Sequence, residues 1–465
     1  MRKLAVRWAA LVGFATLLCA SVPQPSDWVP ARWPWSDAKS LELLAGSPIN
    51  CLLLKTYSAD LATAAAQRGM VVLAVISPSG DAIAAAHQAL AAGATGIVLE
   101  GSFPDSTVAA VQRAAGSAPV IQLTARSHLP LGSKVPIIGT YQGVWPGIAI
   151  EEDGAKKAGP TGTIWIDTNT GFLRGVRAWG DAALWIANEP PPRTIITGER
   201  YLQVIADAAI SGARWVLALD DDFAARLNKR QAAAMRDWRR ITNLVGYFEG
   251  HPEWRRMREY GMVAVVQDPM KGGLLSGGVQ DMMAAKHMPA RPVPRQLLTA
   301  EAIQGVMITL NLDSGGLTAS QQKLLRDFMN AGGTLLTGPP IWKDAGSVGE
   351  RFTLTTAEFE LLDPLWNELN SKLPQRSFGV YLFNVSSMIS NVLVSADDKT
   401  IVVHLVNYSD YPVKEVSVMF PEDYRKATLI TPDGAGQTLE ISRSTVGSGV
   451  TIEEVSVCAT IKVER

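Results

Sequence analysis

Three carboxylates stand at the C-terminal ends of apolar runs: Glu100 in GIVLEGSF, Asp167 in GTIWIDTNTGF and Glu189 in ALWIANEPPP. Two carboxyl groups facing one bond can divide acid and base work. Splitting a glycosidic linkage takes one protonated acid and one base or nucleophile, about 5 Å apart for retention and about 6.5–9.5 Å for inversion. Polar and aromatic side chains that suit a sugar lie near the same kind of boundary. They are Arg126 behind VIQLT, Tyr141 and Trp145 behind VPIIGT, Asn169 just after Asp167, and Asn188 beside Glu189. Each carboxylate also has a plainer reading. The prolines after Glu189 can simply stop a strand. Asp, Asn and Thr are common helix caps, and a helix over 171–179 follows Asp167. Asn169 or Thr170 can serve as that cap, which leaves Asp167 free. The triplet Asp220–Asp222 reads as a solvated loop. His128, His251 and His287 are scattered and show no metal-ligand spacing.

For the three acids to meet, their runs must be strands that end on one rim. Short apolar runs recur at 50–55, 70–77, 96–100, 119–124, 135–140, 163–167, 183–187 and 214–219. Ala-rich helical patterns lie between several of them. Strands alternating with helices imply parallel pairing, and eight such units close a (β/α)8 barrel with its site at the C-terminal strand ends. Their unbroken apolar character fits a sheet covered on both faces. On this count Glu100 ends the third strand, Asp167 the sixth and Glu189 follows the seventh. The fourth, VIQLTARSH, offers no carboxylate.

The chain therefore divides into a signal peptide (1–21), a Pro- and Trp-rich linker or strap (22–45), the barrel (46–261), a small doubly wound α/β domain (262–377) and a β-sandwich (378–465). In the middle segment, strands at 262–267, 305–311 and 333–337 alternate with helices at 276–287 and 318–331. Thr318 caps the second helix. From about 378 the period changes to two, as in TIVVHLVNYSDYPVKEVSVMF, with short strands following at close spacing.

NLDSGGLTASQQKLLRDFMNAGGTLLTGPP resembles the amidotransferase-like middle domain of multidomain bacterial barrel glycosidases, the β-galactosidases among them. TIVVHLVNYSDYPV and ATLITPDG resemble their C-terminal sandwich. The resemblance implies a glycoside hydrolase-like protein acting on oligo- or polysaccharide, with no cofactor. In those enzymes the middle domain takes part in trimer formation, so a homo-oligomer is admitted. Retaining members place an acid/base on the fourth strand, often as Asn-Glu-Pro, and a nucleophile on the seventh. Glu189 carries the lettering of the first and the strand number of the second. The alternative is a non-catalytic carbohydrate-binding or cell-surface protein descended from such a barrel. A phosphate-binding barrel enzyme is a third option, but it calls for a Gly-rich loop where EPPP and DDDF stand. True amidotransferase chemistry needs a Cys nucleophile, and none lies between Cys51 and Cys458.

Composition bounds the rest. Lys and Arg number 43 against 44 Asp and Glu, a formal net charge of −1 that argues against a nucleic-acid partner. Arg2, Lys3 and Arg7 precede the apolar stretch AALVGFATLL, too short for a membrane span. This predicts a secreted or periplasmic protein. Leu18 before Cys19 fits lipid attachment poorly. After cleavage only Cys51 and Cys458 remain, so no disulfide framework or zinc–cysteine cluster is expected.

Overall fold

A computed structural model describes residues 23–465 apart from 147, 151–155, 159–166, 269–276, 313, 339–355, 374–376, 384 and 445–446. The proposed signal peptide lies outside the described residues, as do positions 163–166 of the sixth run.

Eight parallel strands pair in chain order: Pro30–Arg32, Cys51–Leu54, Val71–Ile76, Gly96–Glu100, Val120–Thr124, Ile137–Thr140, Ala183–Ala187 and Ala213–Val216. The last meets the first through a parallel bridge from Ala31 to Leu217, which closes the ring. Arg32 N–H donates to the Leu217 carbonyl at 2.7 Å, and Leu217 N–H donates to that of Pro30 at 3.3 Å.

Two expectations are corrected here. Residues 22–45 are not only a strap, because they supply the first barrel strand. Proline is tolerated there because it opens the strand, where its missing N–H costs no ladder bond. Nor is the sixth strand of the ring the run at 163–167, of which only Asp167 is described; the sixth is Ile137–Thr140. Ile137–Thr140 pairs directly with Ala183–Ala187, leaving no position between them. Asp167 instead precedes the helix Thr170–Arg177. The two errors cancel in the total but not in the count: Glu100 ends the fourth strand, while Glu189 still follows the seventh.

Alternate residues of these strands fill the barrel interior. Cys51 and Leu53, Leu73, Val98, Ile121 and Leu123, Trp185 and Ala187, and Val216 pack there. Leu54, Val72, Leu184, Ile186 and Trp215 face the enclosing helices. Side chains on a strand alternate faces, so each inward register extends to the residue two further on. That extension reaches Lys55 beyond Leu53, Glu100 beyond Val98, and Glu189 beyond Ala187.

The middle segment is a four-stranded parallel sheet ordered Ala290–Pro294, Val263–Gln267, Ile308–Asn311, Thr334–Thr337. Around it lie helices Gly278–Ala285, Ala319–Asn330 and Thr356–Lys372. Thr318 and Gln321 form a reciprocal capping box on the second of these. The C-terminal segment holds two antiparallel sheets, of six and four strands, around a core of Val403, Leu405, Val418, Ile452 and Ile461. Arg258–Glu259 adds a strand to the larger sheet, just before the middle segment begins. Among the described residues, no helix is long and apolar enough to cross a membrane.

Candidate functional site

At the C-terminal rim the inward registers of four strands converge on a chain of charges. Arg32, at the end of the first strand, clamps Glu100 at the end of the fourth with both guanidinium tips, at 2.8 and 2.5 Å. The Arg32 Nη1 that holds Glu100 Oε2 also lies 3.5 Å from Glu189 Oε1, beyond the seventh strand. Lys55, beyond the second, reaches the same Glu189 oxygen at 2.5 Å. Because one nitrogen touches both acids, the separation of those two oxygens cannot exceed the sum of 2.8 and 3.5 Å. That bound, which concerns one oxygen of each acid, is compatible with the roughly 5 Å separation of a retaining pair.

Exposure divides the two acids. The Glu100 side chain is 17% exposed and Glu189 45%. Glu189 lines a cleft of about 690 Å³ whose walls include Arg32, Lys55, Trp35 and Asp220–Asp222, which form the N-terminus of the helix Asp221–Asn228 rather than the expected loop. Trp35 is half-buried there, edge-on to buried Trp33 with ring centroids 4.9 Å apart. Asp220 is occupied structurally, capping the helix Asp221–Asn228 through Phe223 N–H at 3.0 Å and accepting the Tyr201 hydroxyl at 2.8 Å.

The other sequence-derived candidates go elsewhere. Asp167 is partly buried, makes no hydrogen bond or ion pair with another described residue, and burial raises its pKa above the usual carboxylate value. It does not end a barrel strand. Arg126 and Asn169, expected to face a ligand, are fully enclosed. Arg126 Nε donates to the Gln142 carbonyl and Nη2 to Asn169 Oδ1, both at 2.8 Å. Its guanidinium lies 4.3 Å from the centre of the Phe172 ring. Burial lowers the Arg126 pKa to about 9, against the pull of Asp281 and Asp207. Asn169 donates to Asp207 and to the Val144 carbonyl.

Asp207, completely buried, also accepts from Thr168, from Asn169 N–H at 2.9 Å, from Thr170 at 3.1 Å and from Tyr408 of the C-terminal sandwich. Gly171 N–H donates to Asp281 of the middle segment at 2.6 Å. The DTNTGF stretch thus ties the barrel to both later segments. Trp145 is buried edge-on against Tyr201 and Trp215. Asn188 donates to the Gly143 carbonyl at 2.7 Å, and half-buried Tyr141 packs on the barrel interior. None of these five side chains lines the rim cleft.

Sequence reasoning missed Arg32 and Trp35 because PARW is too short and too proline-rich to read as a strand. The signal available was the lack of a carboxylate on the presumed fourth strand, which one extra strand upstream would have cured. Among the described residues, no group of three His, Cys, Asp or Glu side chains is placed to hold a metal ion.

No protein-family model matches the chain, and no curated protein matches it. Solved structures do. Alpha-L-fucosidase isoenzyme 2 from Paenibacillus thiaminolyticus superposes with a TM-score of 0.60 at 10% identity, over 92% of this chain and 96% of that one. The beta-galactosidase from Rahnella sp. R3 gives a TM-score of 0.50 at 8% identity, over 95% and 98%. At such identities the likeness is one of fold, and it runs almost end to end in both cases. The chain has the fold of the multidomain barrel glycosidases: a parallel eight-stranded barrel followed by an α/β segment and antiparallel C-terminal sheets.

Proposed function

We propose that the chain is a retaining glycosidase acting on oligo- or polysaccharide outside the cytoplasm, with Glu189 as nucleophile and Glu100 as acid/base. The observation that carries this reading is the shared Arg32 nitrogen, which contacts one oxygen of a fourth-strand carboxylate and one of a seventh-strand carboxylate and so supports a paired role for them. Glu189, the more exposed acid, attacks the anomeric carbon as the leaving oxygen takes a proton from Glu100. Water then cleaves the glycosyl ester while Glu100 accepts its proton. Arg32 and Lys55 orient Glu189 and offset the negative charge gathered at the rim. The half-buried Trp35 supplies an apolar face for a sugar ring. Asp167 has no part in this scheme.

One observation supports a second reading, a carbohydrate-binding protein without turnover. Both Glu100 oxygens already accept from Arg32, so neither is turned to a glycosidic oxygen. Turnover would require substrate to displace that clamp. The two readings separate on 4-nitrophenyl glycosides, with fucosides and galactosides tried first. Catalysis predicts hydrolysis, product of retained anomeric configuration by NMR, and a glycosyl azide when Glu189→Gly is supplied with azide. Saccharide binding without any nitrophenol release, in parent and variants alike, would favour the binder.

A further inference from the structure

A second cleft lies at the opposite end of the barrel. It opens beside Ser26 and Asp27, before the first strand, and beside the starts of the seventh and eighth strands at Ala183 and Arg214. Its far wall comes from the middle segment, through Arg291, Pro292 and Leu297. Its volume is about 930 Å³, within the range of small-molecule sites.

Seven arginines line it, against four carboxylates, in a chain whose formal net charge is −1. Five of the seven have acid partners. Arg174 and Arg177 share Glu259, at 2.9 and 3.7 Å. Arg214 and Arg255 share Glu249, at 2.9 and 2.6 Å, from behind the wall. Arg258 meets Asp398 at 2.5 Å. Sharing one carboxylate between two guanidiniums leaves surplus positive charge at each pair.

The remaining two have no carboxylate within 4 Å among the described residues. Arg256 is exposed at the end of the short helical turn Pro252–Arg256. Arg291 is held by neutral carbonyls: Nε donates to Gly261 and Nη1 to Gln304, at 2.9 and 2.8 Å. Its Nη2 makes no hydrogen bond to a described residue. The other lining acids, Asp27, Asp181 and Glu301, are exposed and pair with none of the seven.

An arginine pinned by two carbonyls is pre-oriented at little entropic cost, and its planar fork matches an oxyanion. We propose that this cleft binds a small ligand carrying two or more oxyanion groups, with Arg291 and Arg256 as its anchors. Pro292, Pro294, Met257 and Leu297 give the ligand an apolar wall. The site stands apart from the rim carboxylates and does not depend on their chemistry.

The test is calorimetric titration of the full chain, in 150 mM salt, with tripolyphosphate and separately with citrate. The two probes distinguish phosphoryl from carboxylate preference. Saturable binding of at least one is expected. Arg256→Gln and Arg291→Gln should each weaken it roughly tenfold, the loss of one charge-assisted contact. Arg230→Gln, remote and paired with Glu42 at 3.2 Å, should leave it unchanged. Arg256 is solvent-exposed, so its variant tests the site even if Arg291→Gln fails to fold. Absence of binding by the parent for both probes, or equal affinity in parent and Arg256→Gln, would overturn the proposal.

Discussion

Replacing Asp207 by Ala probes whether the DTNTGF stretch is a structural knot or part of a sugar site. Asp207 is fully buried and receives five hydrogen bonds, from Thr168, from the backbone and the side chain of Asn169, from Thr170 and from Tyr408. Truncation leaves those donors in a dry interior and strips Arg126 of one of its two compensating acids. Removing one member of a buried charged cluster typically costs about 3–5 kcal/mol. That is a large part of the roughly 5–15 kcal/mol that holds a typical protein domain folded. Tyr408→Phe removes a single bond to a charged acceptor and should cost about 1.5–3 kcal/mol. Urea unfolding followed by tryptophan fluorescence reads both. The ordering Asp207→Ala worse than Tyr408→Phe, worse than parent, is the expected result. A change below about 1 kcal/mol for Asp207→Ala would refute the reasoning and return Asn169 and Arg126 to the list of ligand contacts.

Further outcomes follow from the rim and from buried histidines. Glu189→Gln and Glu100→Gln should each lower turnover roughly a hundred- to ten-thousand-fold, measured as initial rates on an aryl glycoside the parent cleaves. Arg126→Lys should lower the unfolding midpoint while leaving KM for the same substrate unchanged, because Arg126 is enclosed and does not line the rim cleft; a raised KM at unchanged stability would contradict this. Burial lowers the pKa of His287 to about 4 and of His404 to about 3, both below the unfolded value near 6.5. Between these values the unfolded chain binds more protons than the folded one. Stability is therefore complete above about pH 6.5 and falls as the pH drops, by about 2 kcal/mol for each imidazole at pH 5. Urea midpoints at pH 7.5 and 5.0 check this, and His404→Gln should flatten the slope.

The barrel, the α/β segment and the sandwich were legible because each obeys a periodic rule. Ala-rich helices alternate with runs such as VVLAVI and GIVLE, and strict alternation sets in at TIVVHLVN. What the sequence hid was register around the ring. Pro30–Arg32 holds its place through pairing with Cys51–Leu53 and Leu217, partners that local pattern does not reveal. GTIWID reads as a strand by composition, yet the barrel seats Ile137–Thr140 directly against Ala183–Ala187. Glu189 was found by its lettering and Glu100 by its strand end, but their common neighbour Arg32 lay in a segment read as a strap. Arg126 and Asn169 looked like ligand contacts because polar residues at strand ends usually are exposed. Here the later segments cover them, and Tyr408 and Asp281 come from far along the chain.

The three-residue seam between Pro30–Arg32 and Leu217 also has a kinetic meaning. Its two halves lie far apart in sequence, and closing a loop of that size costs roughly 5 kcal/mol in chain entropy before any contact is gained. Few ladder bonds offset that cost, so the ring should close late, after the eight strands have paired in chain order. Until then the growing sheet has two open edges, at Pro30–Arg32 and Ala213–Val216, each able to accept a strand from another molecule. A cut between residues 36 and 50, outside the short helix Ala38–Leu44, would leave Pro30–Arg32 held to the barrel by noncovalent contacts alone. Departure of that segment would take Arg32 from Glu100, so the seam that completes the wall and the clamp that sets the rim charges would be lost together.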